Sequence, residues 1–63
     1  PAILSCLADG DVTIRRAAAT ATQLWASHNP HGRARCKSAL EAQATKESDE
    51  RLKRRMTEIA RKI

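Results

Sequence analysis

One pattern of residues occurs twice in this chain. An acidic turn followed by a basic segment with an apolar stripe spans residues 9–16 and returns 38 residues later at residues 47–54. Each copy predicts a turn that opens a helix, and such a recurrence indicates stacked helical hairpins that bury their apolar faces against their neighbours. We therefore expect an all-α fold of three to four short helices in antiparallel hairpins, the first in residues 1–32 and the second in residues 33–63.

The first hairpin is predicted from the spacing of its apolar residues. Residues 2–8 predict a short helix, and a longer helix is expected from Val12 to about Ser27 with Asp11 as its N-cap. Pro30 and Gly32 are expected to end this helix and form the following loop. The expected buried face of the longer helix consists of Ile14, Ala17, Ala18, Ala21, Leu24 and Trp25.

The second hairpin is less certain from sequence, because residues 33–63 contain neither Gly nor Pro and could form one long helix. An apolar stripe near the C-terminus does not continue before residue 50, because the equivalent helical positions are then occupied by Asp49 and other polar or small residues. This change favours two helices, at about 33–45 and 49–63, with Ser48 or Asp49 as the cap of the second. The stripe consists of Leu52, Met56, Ile59 and Ile63. The alternative is a continuous helix that pairs with a second copy.

The chain has few large apolar side chains for a core, twelve among 63 residues. A chain of this length hides only about 60% of its unfolded surface on folding. We expect additional stability from a protein partner, from the remainder of a longer array or from a second copy. The first residue is Pro1 rather than Met, and this favours an excised segment.

The charge balance is basic, with twelve Lys and Arg against seven Asp and Glu and a net charge of +5. This excess favours an anionic partner or an acidic protein surface. Tyr and Phe are absent, so the aromatic platforms of most single-strand and RNA-binding modules are lacking. No apolar run reaches the length of a membrane span and no leader is evident. We predict no membrane partner and a cytoplasmic or nuclear location.

The first copy of the repeated pattern carries a family resemblance. Residues 9–21 give an Asp-rich turn, a Val and Arg pair and a helix of small residues, and they resemble the turn and second helix of a HEAT repeat. In the second copy Asp49, Leu52 and Lys53 match, whereas Arg55 stands where the family has a small residue.

The resemblance implies an α-solenoid that serves as a non-catalytic protein–protein interaction scaffold. It also implies a structural ladder along the stacked turns, in which a turn carboxylate meets the guanidinium of a neighbouring repeat at a bidentate, partly buried site. The matching positions are Asp11, Arg15, Asp49 and Lys53.

A basic cluster on the last helix is the main candidate binding surface. The cluster consists of Arg51, Lys53, Arg54 and Arg55. If Arg15 and Arg16 share its solvent face, the chain is instead a basic helical nucleic-acid-binding module. Trp25, the only aromatic residue, is either a central core anchor or an exposed hot spot at an interface.

Metal binding and catalysis receive little support. His28, His31 and Cys36, with Cys6, supply zinc-ligand types, but no paired CxxC accompanies them. We expect solvated histidines and two unpaired, buried thiols in a reducing compartment, and no metal or cofactor. The only nucleophile–base pair is Cys36 with His31, without a phosphate loop, so we predict that the chain is not an enzyme.

Overall fold

The computed structural model describes residues 2–63, with only the backbone described at Ala2, and Pro1 lies outside this range. It contains four α-helices: α1 (Ala2–Cys6), α2 (Val12–His28), α3 (Arg33–Lys46) and α4 (Glu50–Lys62). A 3-10 turn, Pro30–Gly32, joins α2 to α3. No strand occurs in this range, so the fold is all-α as predicted. The break between α3 and α4 confirms the two-helix prediction for the second half.

Aspartate caps fix the starts of both long amphipathic helices. The Asp11 carboxylate accepts a hydrogen bond from the Thr13 backbone N–H at 2.8 Å, at the start of α2. The Asp49 carboxylate accepts from the Leu52 backbone N–H at 2.9 Å, at the start of α4. Each cap satisfies a backbone donor that has no partner within its helix. The predicted cap at Asp11 is confirmed, and of the two residues predicted as candidates for the second cap, Ser48 and Asp49, the structure shows Asp49.

The core lies where α3 and α4 pack against each other and against α2. The buried apolar residues that form one cluster are Leu7, Ala18, Ala19, Leu40, Ala44, Leu52, Met56, Ile59 and Ala60. On α4 the predicted stripe is confirmed, since Leu52, Met56 and Ile59 are buried and Ile63 packs against them half-buried. The cluster draws on α2, α3, α4 and Leu7, in the turn that follows α1.

α2 and α4 lie side by side and run in the same direction. Near their starts, Arg15 of α2 bonds Glu47, just before α4. Farther along, the Arg55 guanidinium donates to the Thr20 hydroxyl at 3.1 Å. Near their ends, Gln23, Ala26 and Ser27 of α2 line one cleft together with Lys62 of α4. The two helices thus stay adjacent over most of their length.

Of the predicted buried face of α2, only Ala18 is confirmed as buried, and the rest of the prediction is wrong. Leu24 is 63% exposed and Ile14 is 42% exposed, and Trp25 is only half-buried and lies outside the core cluster. The helix instead buries Ala18, Ala19, Thr22 and Ala26. Burying Thr22 costs little because its hydroxyl donates to the Ala18 carbonyl oxygen at 2.7 Å. The narrow space beside α3 and α4 is filled by small side chains.

Candidate interaction surfaces

A buried ion pair joins the two acidic turns. The Arg15 guanidinium donates from Nε to Glu47 Oε1 at 2.8 Å and from Nη2 to Glu47 Oε2 at 2.9 Å. Its Nη1 donates to the Asp9 carbonyl oxygen at 2.8 Å. The Glu47 side chain is fully buried and that of Arg15 is 14% exposed. This bidentate geometry fixes the orientation of α2 relative to the start of α4.

The electrostatics of the pair favour the charged form of both groups. The hydrogen bond from Arg15 holds the pKa of Glu47 below its ordinary value, with help from the backbone N–H of Asp49, although burial opposes the shift. The same hydrogen bond raises the pKa of Arg15. Glu47 Oε2 accepts that Asp49 N–H at 3.1 Å. The carboxylate therefore has partners for both of its oxygens.

The two acidic turns are built alike. In the first, the Asp9 carboxylate accepts from the backbone N–H of Asp11, which caps α2. In the second, the Glu47 carboxylate accepts from the backbone N–H of Asp49, which caps α4. The repeated sequence pattern therefore corresponds to a repeated local structure.

The predicted ladder has the wrong acidic residues. The carboxylates of Asp11 and Asp49 cap helices, and the residue that meets Arg15 is Glu47, whose longer side chain reaches the guanidinium. Lys53, the predicted ladder cation equivalent to Arg15 in the second copy, is exposed and lines a groove between α3 and α4. The signal that could have found Glu47 is its place as the first acid of the second copy, equivalent to Asp9.

An apolar groove lies between α1 and α2 and is called here the open groove. Its lining residues are Ile3, Ala21, Leu24, Trp25, His28 and Asn29. The Trp25 ring contacts the backbone at Gly32, so closely that a Cβ added there would collide with Cζ3 and Cη2 of the indole. Asn29 holds the end of α2 by donating from Nδ2 to the Trp25 carbonyl oxygen at 2.8 Å. No Asp, Glu, Lys or Arg lines the open groove.

The groove between α3 and α4 has the opposite character and is called the polar groove. Its lining residues are Lys37, Glu41, Ala44, Thr45, Lys53, Thr57, Ala60 and Arg61. The Lys37 ammonium spans it and donates to the Ala60 carbonyl oxygen at 2.8 Å. Its charged side chains are suited to contact with water.

The predicted basic cluster is divided among different surfaces. Lys53 belongs to the polar groove, and Arg54 lies on the solvent-facing crest of α4. Arg51 and Arg55 lie one turn apart on the side of α4 that faces α2, where Arg55 contacts Thr20. Two of the four predicted residues therefore share a surface with α2.

The cysteines differ from each other. Cys36 is buried, as expected, and burial raises the pKa of its thiol. Cys6 is exposed, which corrects the prediction that both thiols are buried, and both are free. His28 and His31 are exposed. Within residues 2–63 no three His, Cys, Asp or Glu side chains come together as a metal site.

Within the same residues no helix has both the length and the apolar character needed to cross a membrane. Compared with models of protein families, with curated proteins and with solved structures, the chain gives no match.

Proposed function

We propose that this chain is a non-catalytic protein–protein interaction scaffold, a unit of a HEAT-like helical stack that ends the stack on one side. The observation that carries this proposal is the contrast between its two grooves. The open groove, with Leu24 63% exposed at its edge, lacks charged side chains, whereas the polar groove is lined by Lys37, Glu41, Lys53 and Arg61.

The packing of the two hairpins supports the stacking part of the proposal. α2 and α4 run in the same direction, as equivalent helices of successive repeats do, and both begin with the same double-acid turn. The Arg15–Glu47 pair connects the turns at a buried, bidentate site. In repeat arrays each unit contacts its neighbours and the terminal units carry a polar outer face. The polar groove fits such a terminal face.

The open groove fits the opposite side of a stack, where another unit packs. Exposed apolar side chains that line one groove mark an interaction site more often than scattered ones do. Since no charged residue lines this groove, its occupant is the uncharged apolar face of a helix from an adjacent unit. A helix of this kind would bind by inserting side chains at i, i+3, i+4 and i+7.

The chain's own α2 provides a probe for this groove. The stripe on its outer side alternates steps of three and four residues and carries no charge. It has alanines at its centre and larger side chains at its ends, so two copies of the stripe are complementary in an antiparallel pair. The residues of the stripe are Ile14, Ala17, Ala21 and Leu24. A single helix face buries less than the ~800 Å² per partner of a standard interface, so we expect weak association, in roughly the 10–1,000 µM range.

The test is sedimentation equilibrium over a concentration series, together with the fluorescence of Trp25, which lines the open groove. We expect reversible dimers and a blue shift of the Trp25 emission as they form. Leu24→Lys should abolish both effects. Ala42→Lys is the matched control, because it adds the same charge at an exposed position on α3 and should leave association intact. A wild-type chain that remains monomeric throughout, or equal losses in the two variants, would refute the proposal.

The alternative function is nucleic-acid binding, and one of the residues predicted to contact phosphates, Arg15, is not free to do so. The Arg15 guanidinium is occupied by Glu47 and by the Asp9 carbonyl oxygen, so it does not face solvent with Arg16. Phosphate contacts would depend on Arg16 and on the cations of α4 alone.

A further inference from the structure

We infer that the exposed surface between α2 and α4 binds an acidic peptide segment in an extended conformation. This surface, called here the basic seam, carries four exposed cationic side chains. They are Arg16 of α2 and Arg51, Arg55 and Lys62 of α4. The basic seam lies apart from the open groove, and its function does not depend on that groove.

The parallel packing of α2 and α4 brings these cations together. Arg16 lies one turn before Thr20 on α2, and Arg51 lies one turn before Arg55 on α4. The Arg55–Thr20 hydrogen bond at 3.1 Å joins the two rows. Two turns beyond Arg55, Lys62 lines a small cleft that also includes Gln23, Ser27 and Arg33. Cations from separate parts of the sequence thus border one continuous surface.

These cations are available to a ligand. The salt bridge found within residues 2–63 is Arg15–Glu47, and it does not involve any side chain of the basic seam. The one side-chain hydrogen bond that Arg55 makes goes to a neutral, exposed hydroxyl. An incoming carboxylate would gain charge-assisted hydrogen bonds there without breaking an internal ion pair.

The spacing of Arg51 and Arg55 matches an extended peptide. At a rise of about 1.5 Å per residue, Arg51 and Arg55 lie about 6 Å apart along α4, and Lys62 lies about 10 Å beyond Arg55. Side chains on one face of an extended strand recur every ~6.6 Å. Alternate acidic residues can therefore meet Arg51 and Arg55, and a third acidic residue farther along the peptide can be reached by the flexible side chain of Lys62. Thr20 and Gln23 offer polar groups to the peptide backbone.

The same surface suits nucleic acid less well. Glu50 is exposed on the crest of α4, and Glu58, one turn after Arg55 and one turn before Lys62, is exposed along the seam itself. Both carboxylates would repel the phosphates of a nucleic acid, which carries a charge at every nucleotide. A single strand would need aromatic platforms for its bases. The one aromatic side chain of the protein, Trp25, lines the open groove instead. An acidic peptide, unlike a phosphate chain, can place an uncharged residue beside Glu58 and acidic residues beside Arg51 and Arg55.

The test is fluorescence anisotropy with a labelled decapeptide of alternating Glu and Ser, at about 50 mM salt, where screening is weak. The double variant Arg51→Gln/Arg55→Gln should weaken binding roughly tenfold by removing two charge-assisted contacts. Arg54→Gln/Arg61→Gln is the matched control, since it removes the same charge from the crest of α4 and from the polar groove, outside the basic seam. We expect it to weaken binding less than about twofold, through long-range attraction alone.

Three results would overturn the inference. The first is no peptide binding by the wild-type chain, and the second is equal weakening by the two double variants, which would indicate net charge alone. The third is tighter binding of a labelled oligothymidine than of the peptide, which would assign the seam to phosphates. Arg16→Gln/Lys62→Gln provides a second seam variant, should circular dichroism show that the first has lost helix. Leu24→Lys should retain peptide binding, which separates this inference from the proposed stacking function.

Discussion

α2 and α4 lie side by side, and each begins at an aspartate that accepts a backbone hydrogen bond, but they bury very different side chains. α4 buries Leu52, Met56 and Ile59, which form its only apolar stripe. α2 buries alanines and Thr22, while its larger apolar residues Ile14 and Leu24 remain exposed. Two helices with similar starts therefore have different roles. α4 contributes large apolar side chains to the core, whereas α2 packs on the core through small side chains and keeps larger apolar side chains on its outer surface.

The comparison shows that polar contacts can decide which face of a helix is buried. α2 has two candidate faces, one of small residues and one that includes Ile14 and Leu24. Arg15 lies on the side of the small residues, where it meets Glu47. Rotating α2 to bury Ile14 and Leu24 would pull Arg15 away and leave the buried Glu47 carboxylate without its partner. The ion pair thus selects the observed face and leaves the apolar one open for a partner.

The largest difference between the two helices should appear when each loses an apolar side chain. Met56 is fully buried, so Met56→Ala removes core contacts and leaves a cavity, at a cost of about 2–5 kcal/mol. Leu24→Ala should change the free energy of unfolding by less than about 0.5 kcal/mol, because that side chain is exposed. Urea denaturation followed by circular dichroism at low protein concentration measures both. Similar losses would mean that Leu24 is part of the core.

The fold could be predicted from sequence where one pattern dominated. The caps at Asp11 and Asp49, the break between α3 and α4 and the buried stripe of α4 each depend on local chemistry or on a single apolar face. The face of α2 could not be predicted, because alanines surround most of that helix and its orientation depends on Glu47, more than thirty residues away. Local periodicity contains no information about such a contact.

A smaller effect should distinguish Arg15 from its neighbour Arg16. Arg15→Lys keeps the charge but loses the bidentate bond to Glu47, so we expect a loss in the free energy of unfolding of about 1–3 kcal/mol, smaller than that of Met56→Ala. Arg16→Lys is the matched control, and since Arg16 is exposed it should stay within about 0.5 kcal/mol of wild type. If the urea midpoints of the two variants coincide, the ion pair does not fix the orientation of α2.

The same ion pair predicts a pH dependence. Because the pKa of Glu47 is lowered in the folded state, its contribution is fully present above the ordinary glutamate pKa of about 4.3 and is lost as the pH falls through the lower folded value. Urea midpoints from about pH 6 to pH 3 should therefore decline more steeply for the wild-type chain than for Glu47→Gln. Parallel declines would show that other carboxylates account for the acid sensitivity.

The candidate surfaces were harder to predict than the fold, since each combines residues from separate segments. The basic cluster of α4 was visible in the sequence, but its division needed the position of α2, which places Arg55 beside Thr20 and leaves Lys53 in the polar groove. Trp25 was expected either as a core anchor or as a hot spot at an interface, and the core reading is wrong because the ring lies outside the core cluster. Its actual position beside Gly32 depends on how the 3-10 turn folds back over the end of α2.

The smallest effect concerns the two glycines. Gly32 lies beside Trp25 of the open groove, and Gly10 lies in the first acidic turn. Gly32→Ala would place a Cβ against the Trp25 ring and force the indole to move, so we expect a loss of about 1–3 kcal/mol and a red shift of the Trp25 emission. Gly10→Ala meets no atom within 4 Å, and neither glycine has a positive φ, so it should be neutral or stabilise the fold by up to about 1 kcal/mol. Both changes add one methyl group, so if only the entropy of the unfolded chain mattered, the two variants would have equal free energies of unfolding. Unequal urea midpoints with unchanged emission in Gly32→Ala would place the strain in the 3-10 turn rather than at Trp25.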